Sequence, residues 1–232
     1  MKKLALLILL FSFSSLCYSQ AKFETPPGTI FLKDSIFIDR TPVTNRMFLE
    51  YLTAKNDLRK KGFTSFKEYH TTEDKILNRL IILYPSYLKN LDREGSLLAK
   101  KNYFENTKFE YSPVLNISKE QAEDYCNWRT EMVRYLWLKN NIVENQKIVY
   151  RLPTKKELAT SKEIFTEKKL FSFYDGKDPS RFKPYSNQDN FALFNISEYT
   201  SSENVYGENW RSVTPLEFPN DVTGFRCACE SY

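Results

Sequence analysis

The chain has 232 residues, a formal net charge of +5 and 16% aromatic residues. Acidic residues are scattered among the basic ones with no basic stripe, which excludes the electrostatic footprint of a nucleic-acid partner. The aromatic fraction excludes a disordered chain and requires either a stacked aromatic core or a binding surface rich in Tyr and Phe.

The chain opens with Lys2 and Lys3, followed by an apolar run from Leu4 to Phe13 broken only by Ser12. Cys17-Tyr18-Ser19 then offers small residues where a signal peptidase inspects the chain. The run is about ten residues, and a bilayer span takes roughly twenty. Residues 1–19 are therefore predicted to be a signal peptide cleaved after Ser19, with residues 20–232 as a single domain. The alternative is a lipoprotein anchored at Cys17, disfavoured because Leu16 is not small. Loss of Lys2 and Lys3 lowers the charge from +5 to +3. No later segment is apolar enough and long enough to cross a membrane. The expected location is thus outside the cytoplasm: periplasmic, attached to the cell envelope, or secreted.

Pro26-Pro27-Gly28 closes a short polar lead. Thr29 to Ile38 alternates apolar and polar residues, which predicts a strand pair around Lys33-Asp34. Thr44 is a predicted helix cap, with Met47, Phe48, Tyr51 and Leu52 on one face of the helix that follows. Ile76 to Leu83 predicts a further helix ended by Pro85. Ser118 and Gln121 have the spacing of a capping box. The helix they start carries Ala122, Tyr125, Cys126, Arg129, Met132 and Val133 on its inner stripe. Val149 to Leu152 reads as a strand, and Thr154 with Glu157 caps a third helix. From Phe171 onward the pattern is loops and short strands. The sum is an α+β fold with little regular secondary structure and long loops.

The chain holds four cysteines, and Cys17 leaves with the signal. Of Cys126, Cys227 and Cys229, two are expected to pair in an oxidising compartment and one to remain. Three sulfurs and a distant histidine do not match zinc-ligand spacing. His70 is the sole histidine and lies in a polar stretch, so no Ser-His-Asp or Cys-His constellation is suggested.

Five segments, in order, resemble the formylglycine-generating enzyme and sulfatase-modifying-factor family. They are PPGTIFL (Pro26 to Leu32), IFIDRTPVTNRMFLEYL (Ile36 to Leu52), SPVLNISKEQAEDYCNWRTEM (Ser112 to Met132), YRLPTKKEL (Tyr150 to Leu158) and GFRCA (Gly224 to Ala228). The RLPT segment with Glu157 is the most specific. The NWRT wording at Asn127 to Thr130 and the long insert before Ser112 look closest to the branch of gliding-motility lipoproteins. Taken without the resemblance, the same residues have structural roles: Tyr125 and Trp128 as core aromatics, Gly224 as a turn into a strand.

The resemblance implies a formylglycine-generating-enzyme fold, related to C-type lectin-like domains. It also implies a disulfide between Cys126 and Cys227, which leaves Cys229 as either a free thiol or one half of an intermolecular bridge. The family oxidises a substrate cysteine to formylglycine with copper held by two thiolates, which suit Cu(I). Its thiolate pair precedes the closing GFRC strand, where residues 201 to 223 here contain no cysteine. Trp210-Arg211-Ser212 looks like a remnant of the segment before that pair. The family also binds calcium through loop oxygens. In NFALFNISEYTSS (Asn190 to Ser202), with Asp189 before it, Asp189, Asn190, Asn195 and Glu198 are the candidate calcium ligands, against the plainer reading of a polar turn.

The leading expectation is an exported, non-catalytic binding or structural module of the envelope, with a protein or glycan partner and a place in gliding or secretion machinery. The alternative is an enzyme of the family with altered oxidase chemistry, for which Glu157 and Glu198 are the candidate acids.

Overall fold

The computed structural model describes residues 24–60, 103, 107–141, 146–166, 171–172, 192–193, 196–202, 205–209 and 218–232. His70, the helix expected at Ile76 to Leu83, Trp210-Arg211-Ser212, and Asp189, Asn190 and Asn195 lie outside the described residues.

The predicted strand pair forms: β1 (Thr29–Lys33) and β2 (Ile36–Asp39) are antiparallel, with Phe31 opposite Phe37. Asp34 turns the chain at φ 50°, a left-handed conformation that Asp tolerates better than most residues. Thr44 caps α1 (Asn45–Lys60), its hydroxyl accepting the Met47 amide at 3.3 Å. A single 3-10 turn, Thr107–Phe109, precedes α2 (Lys119–Lys139). Ser118 and Gln121 form the reciprocal capping box expected of them. β3 (Ile148–Arg151) begins one residue before its predicted start. Thr154 and Glu157 form a second capping box at the head of α3 (Lys155–Thr166).

Short strands follow: β4 (Phe171–Ser172), β5 (Ala192–Leu193), β6 (Ser197–Tyr199), β7 (Val205–Tyr206), β8 (Thr223–Gly224) and β9 (Ala228–Ser231). The C-terminal strand β9 inserts between β2 and β3, giving an antiparallel sheet ordered β1-β2-β9-β3. The chain therefore cannot complete its main sheet until its last residues are in place. A second sheet, ordered β7-β6-β8, pairs β6 with β8 in parallel, and β4 pairs with β5 in parallel.

Strand alternation divides the core in two. One face of the main sheet carries Phe37, Cys227, Cys229, Ile148 and Tyr150, which join Ala122, Tyr125, Cys126, Val133 and Trp137 of α2. Phe48 and Tyr51 of α1 close this cluster. The Tyr125 ring sits 5.3 Å edge-on to Phe225 and 6.0 Å from Phe48. The other face carries Ile38, which with Leu32 packs on Leu158 and Phe165 of α3. The mixed helix and sheet make the α+β fold that the sequence predicts. Among the described residues no helix is long and apolar enough to cross a membrane.

One expectation is extended and one is corrected. The inner stripe of α2 includes Thr130 and Trp137 as buried residues. Thr130 Oγ1 accepts the Tyr150 amide at 2.8 Å, so a polar helix residue ties α2 to the edge strand β3. Gly224 does not serve a turn. It lies in β8, where a Cβ would fall 2.6 Å from the Val114 carbonyl oxygen, so close backbone approach excludes any side chain.

Glu157 is buried, and its carboxylate takes Arg151 Nη1 and Nη2 at 2.8 and 2.7 Å besides capping α3. Burial opposes its charge, but Arg151 and the Thr154 amide outweigh this and hold its pKa below the ordinary value. A depressed folded pKa contributes stability above the unfolded carboxyl range, near pH 4.3. That contribution is lost as pH falls through the folded value. Glu157→Gln is expected to cost about 1–3 kcal/mol at neutral pH. In urea titrations the gap to wild type should narrow below about pH 4.

Candidate functional site

Helix α2 and the closing strand meet along a seam that holds every described thiol. Cys126 Sγ lies 3.2 Å from Cys227 Sγ, both as free thiols. Cys229, two residues beyond Cys227, sits across the ladder from Phe37 and Tyr150. The three cysteines are at most 1% exposed.

The seam is polar as well as sulfur-rich. Asp39, at the end of β2, accepts Arg129 Nη1 at 2.6 Å and the Cys227 amide at 2.8 Å, both on Oδ2. Asp39 Oδ1 is buried without a hydrogen-bond partner. The Arg129 guanidinium lies 4.3 Å from the centre of the Tyr150 ring, a stacked cation–π geometry. Its Nη2 also donates to the Pro27 carbonyl at 2.7 Å. Gly28, at φ 75°, leaves room for it: a Cβ there would approach Nη2 to 3.1 Å. Burial opposes the charge on Arg129, but Asp39, first among its neighbours, holds its pKa well above the ordinary value.

The same surroundings silence the thiols. Burial, then the Cys126 contact, pushes the Cys227 pKa well above its ordinary value. Burial pushes Cys229 up to about 12, against a smaller opposing pull from Arg129. The thiolate is the nucleophile and the metal ligand, so at neutral pH neither residue offers one.

A second polar centre lies in the β6–β8 sheet. Arg226 is fully buried, and its Nε and Nη2 donate to Glu198 Oε2 and Oε1 at 2.6 and 2.9 Å. Its Nη1 donates to the Asp39 carbonyl at 3.0 Å, which couples this centre to the seam. Of the candidate calcium ligands only Glu198 is described, and both its oxygens accept from Arg226. Nearby, Asn209 Nδ2 donates to Ser197 Oγ at 3.2 Å, and Ser197 Oγ donates to the Gly207 carbonyl at 3.1 Å.

A third cluster lies between α1 and α2, where the Tyr51 hydroxyl and Lys55 Nζ both donate to Asp124 Oδ2. Burial and Asp124 raise the Tyr51 pKa, so its phenol stays protonated.

The two carboxylates considered as acids are thus engaged, Glu157 by Arg151 and Glu198 by Arg226. Cys126 and Cys227 meet, and Cys229 shares their compartment. Arg129 was legible as an inner-stripe residue of α2, but its partner is 90 residues away. The signal for Asp39 is an acidic residue ending a strand of otherwise apolar residues, which calls for a buried cation. Glu198 stands between Ser197 and Tyr199 with no comparable mark.

A family model, that of the sulfatase-modifying factor enzyme 1-like domain, matches residues 12–184. The match ends before β6, β8 and β9. No curated protein and no solved structure matches the chain.

Breaking a buried ion pair by removing one partner typically costs about 3–5 kcal/mol, because the other charge is stranded. Glu198→Gln and Arg226→Met are each expected to destabilise by about that much. The double variant is expected to be more stable than the sum of the single losses implies, as measured by urea unfolding.

Proposed function

Because the chain belongs to the sulfatase-modifying factor enzyme 1-like family, we propose that it keeps the family scaffold as an exported, non-catalytic binding or structural module of the cell envelope. The observation that carries this reading is the burial of all three cysteines that follow the leader: Cys126, Cys227 and Cys229 are at most 1% exposed. Family oxidase chemistry needs a thiolate pair open to a substrate cysteine and to Cu(I). Residues 127–226 contain no cysteine, and the thiols on either side are walled into the core.

The pair at the seam has a structural role in this proposal. Cys126 and Cys227 lose two protons and two electrons to a disulfide-bearing oxidant and form a bridge between α2 and the closing strand. A bridge enclosing roughly a hundred residues contributes about 2–5 kcal/mol. Export supplies the oxidising compartment, and the leader at residues 1–19 supplies export. Calcium held by Asp189, Asn190, Asn195 and Glu198 is part of the proposal, with the Glu198 oxygens also accepting from Arg226. A protein or glycan of the envelope is the proposed partner, and gliding or secretion machinery the proposed setting.

The alternative, an enzyme of altered chemistry, would require an acid or a nucleophile free to act. Glu157 and Glu198 are each held by two arginine N–H groups.

The test uses the mature, oxidised protein, whose N-terminus is expected at Gln20 by mass spectrometry. Incubated with Cu(I) and a cysteine-containing sulfatase peptide, it should yield no aldehyde and retain no tightly bound copper. An aldehyde that forms in wild type and disappears in Cys229→Ser would overturn the reading and make Cys229 catalytic.

A further inference from the structure

We propose that the closing strand carries an internal exchange thiol. While β9 is seated Cys229 is silent. Once β9 leaves the sheet, Cys229 attacks the Cys126–Cys227 bridge and converts it to a Cys126–Cys229 isomer that cannot reseat. The inference rests on the bridge proposed above.

Three sulfurs share one compartment. Cys229 lies in β9 and Cys227 just before it, and both join the core cluster that contains Cys126. In the seated strand Cys229 has no access to solvent, and its polar contact is a weak one to the Glu230 carbonyl at 3.7 Å. The ladders to β2 and β3 fix the strand on both sides. Burial keeps the thiol protonated, and a thiol does not attack a disulfide.

Opening β9 removes that protection, and Cys229 regains an ordinary thiol pKa of about 8.5. Its thiolate attacks Cys126 Sγ. The Cys126–Cys229 bond forms as the Cys126–Cys227 bond breaks, and Cys227 leaves as a thiolate that takes up the proton Cys229 released. No net oxidant or reductant is consumed. The native pair is separated by 101 positions in sequence, and the isomer lengthens that loop by two residues. Closure entropy barely distinguishes the two loops, so nothing in the open chain favours the native pairing.

The folded state does distinguish them. A two-residue offset keeps each side chain on its original face, so the apolar pattern of the strand does not reject it. With Cys229 in the place of Cys227, Ala228 falls in the place of Arg226. Glu198, 2% exposed, then loses both its guanidinium bonds. Cys227 falls in the place of Phe225, whose ring contacts Phe48 and Tyr125. The isomer is excluded from the native fold by the β6–β8 centre and the aromatic cluster, not by the thiols.

The test compares the oxidised mature wild type with Cys229→Ser. Both are held at about pH 8.5, near the ordinary thiol pKa, in native buffer or in urea beyond the unfolding transition. Samples are acid-quenched and mapped without reduction, and parallel samples are diluted to measure native protein by near-UV circular dichroism. In native buffer Cys126–Cys227 is expected to persist alone. In urea wild type should accumulate Cys126–Cys229 to about the abundance of the native bridge, and return about twofold less native protein than Cys229→Ser. Persistence of the native bridge alone in urea, equal recovery of the two proteins, or an isomer forming as fast in native buffer would each overturn the proposal. Both thiols found unbridged before incubation would overturn the bridge itself, and with it the exchange. A bridge that forms and never exchanges overturns the exchange alone.

Discussion

The buried pair of Asp39 and Arg129 is the contact on which the remaining structure converges. Arg129 comes from α2, Asp39 from the end of β2, and the guanidinium reaches Pro27 in the lead and stacks on Tyr150 in β3. Asp39 in turn accepts the amide of Cys227, the residue just before the closing strand. One ion pair thus fixes five separate segments against each other. Burying two charges is costly unless their hydrogen bonds are satisfied. Most of those bonds go to backbone that only this arrangement brings together, so the pair specifies the fold more than it adds stability.

The closing strand gives that specificity a second use. Arg226 and Cys227 are adjacent and serve the two polar centres, the first holding Glu198 and the second meeting Cys126. Seating this short segment joins the main sheet to the β6–β8 sheet and completes the compartment around the thiols. Family membership accounts for the scaffold, and the burial of each described thiol supports reading that scaffold as a module without the parent oxidase chemistry. A fold of this kind supports many functions, and function is argued from the site rather than the scaffold.

Local chemistry made much of the fold legible in the sequence. Thr44, Ser118 and Thr154 mark helix starts because a capping hydroxyl bonds amides two or three residues away. The alternation from Thr29 to Ile38 marks the hairpin because successive strand side chains point to opposite faces. What could not be read is what depends on distant partners. Arg129 lies on the inner stripe of α2, but nothing near it in sequence names Asp39. Gly224 looks like a turn residue because its neighbours are loop-like, whereas the constraint on it comes from the Val114 carbonyl, 110 positions earlier. Glu198 has no local mark of its partner, and only the fold brings Arg226 to it.

Thiol accessibility tests the central claim most directly. The mature protein is treated in native buffer with a hydrophilic maleimide, and each cysteine is then located by peptide mass spectrometry. With all three sulfurs inside the core, the native protein should take up no label on Cys126, Cys227 or Cys229. Cys229 should label only after unfolding. Rapid labelling of Cys229 in the native protein would show a thiol open to solvent and to substrate, and would contradict the account of a core emptied of catalytic sulfur.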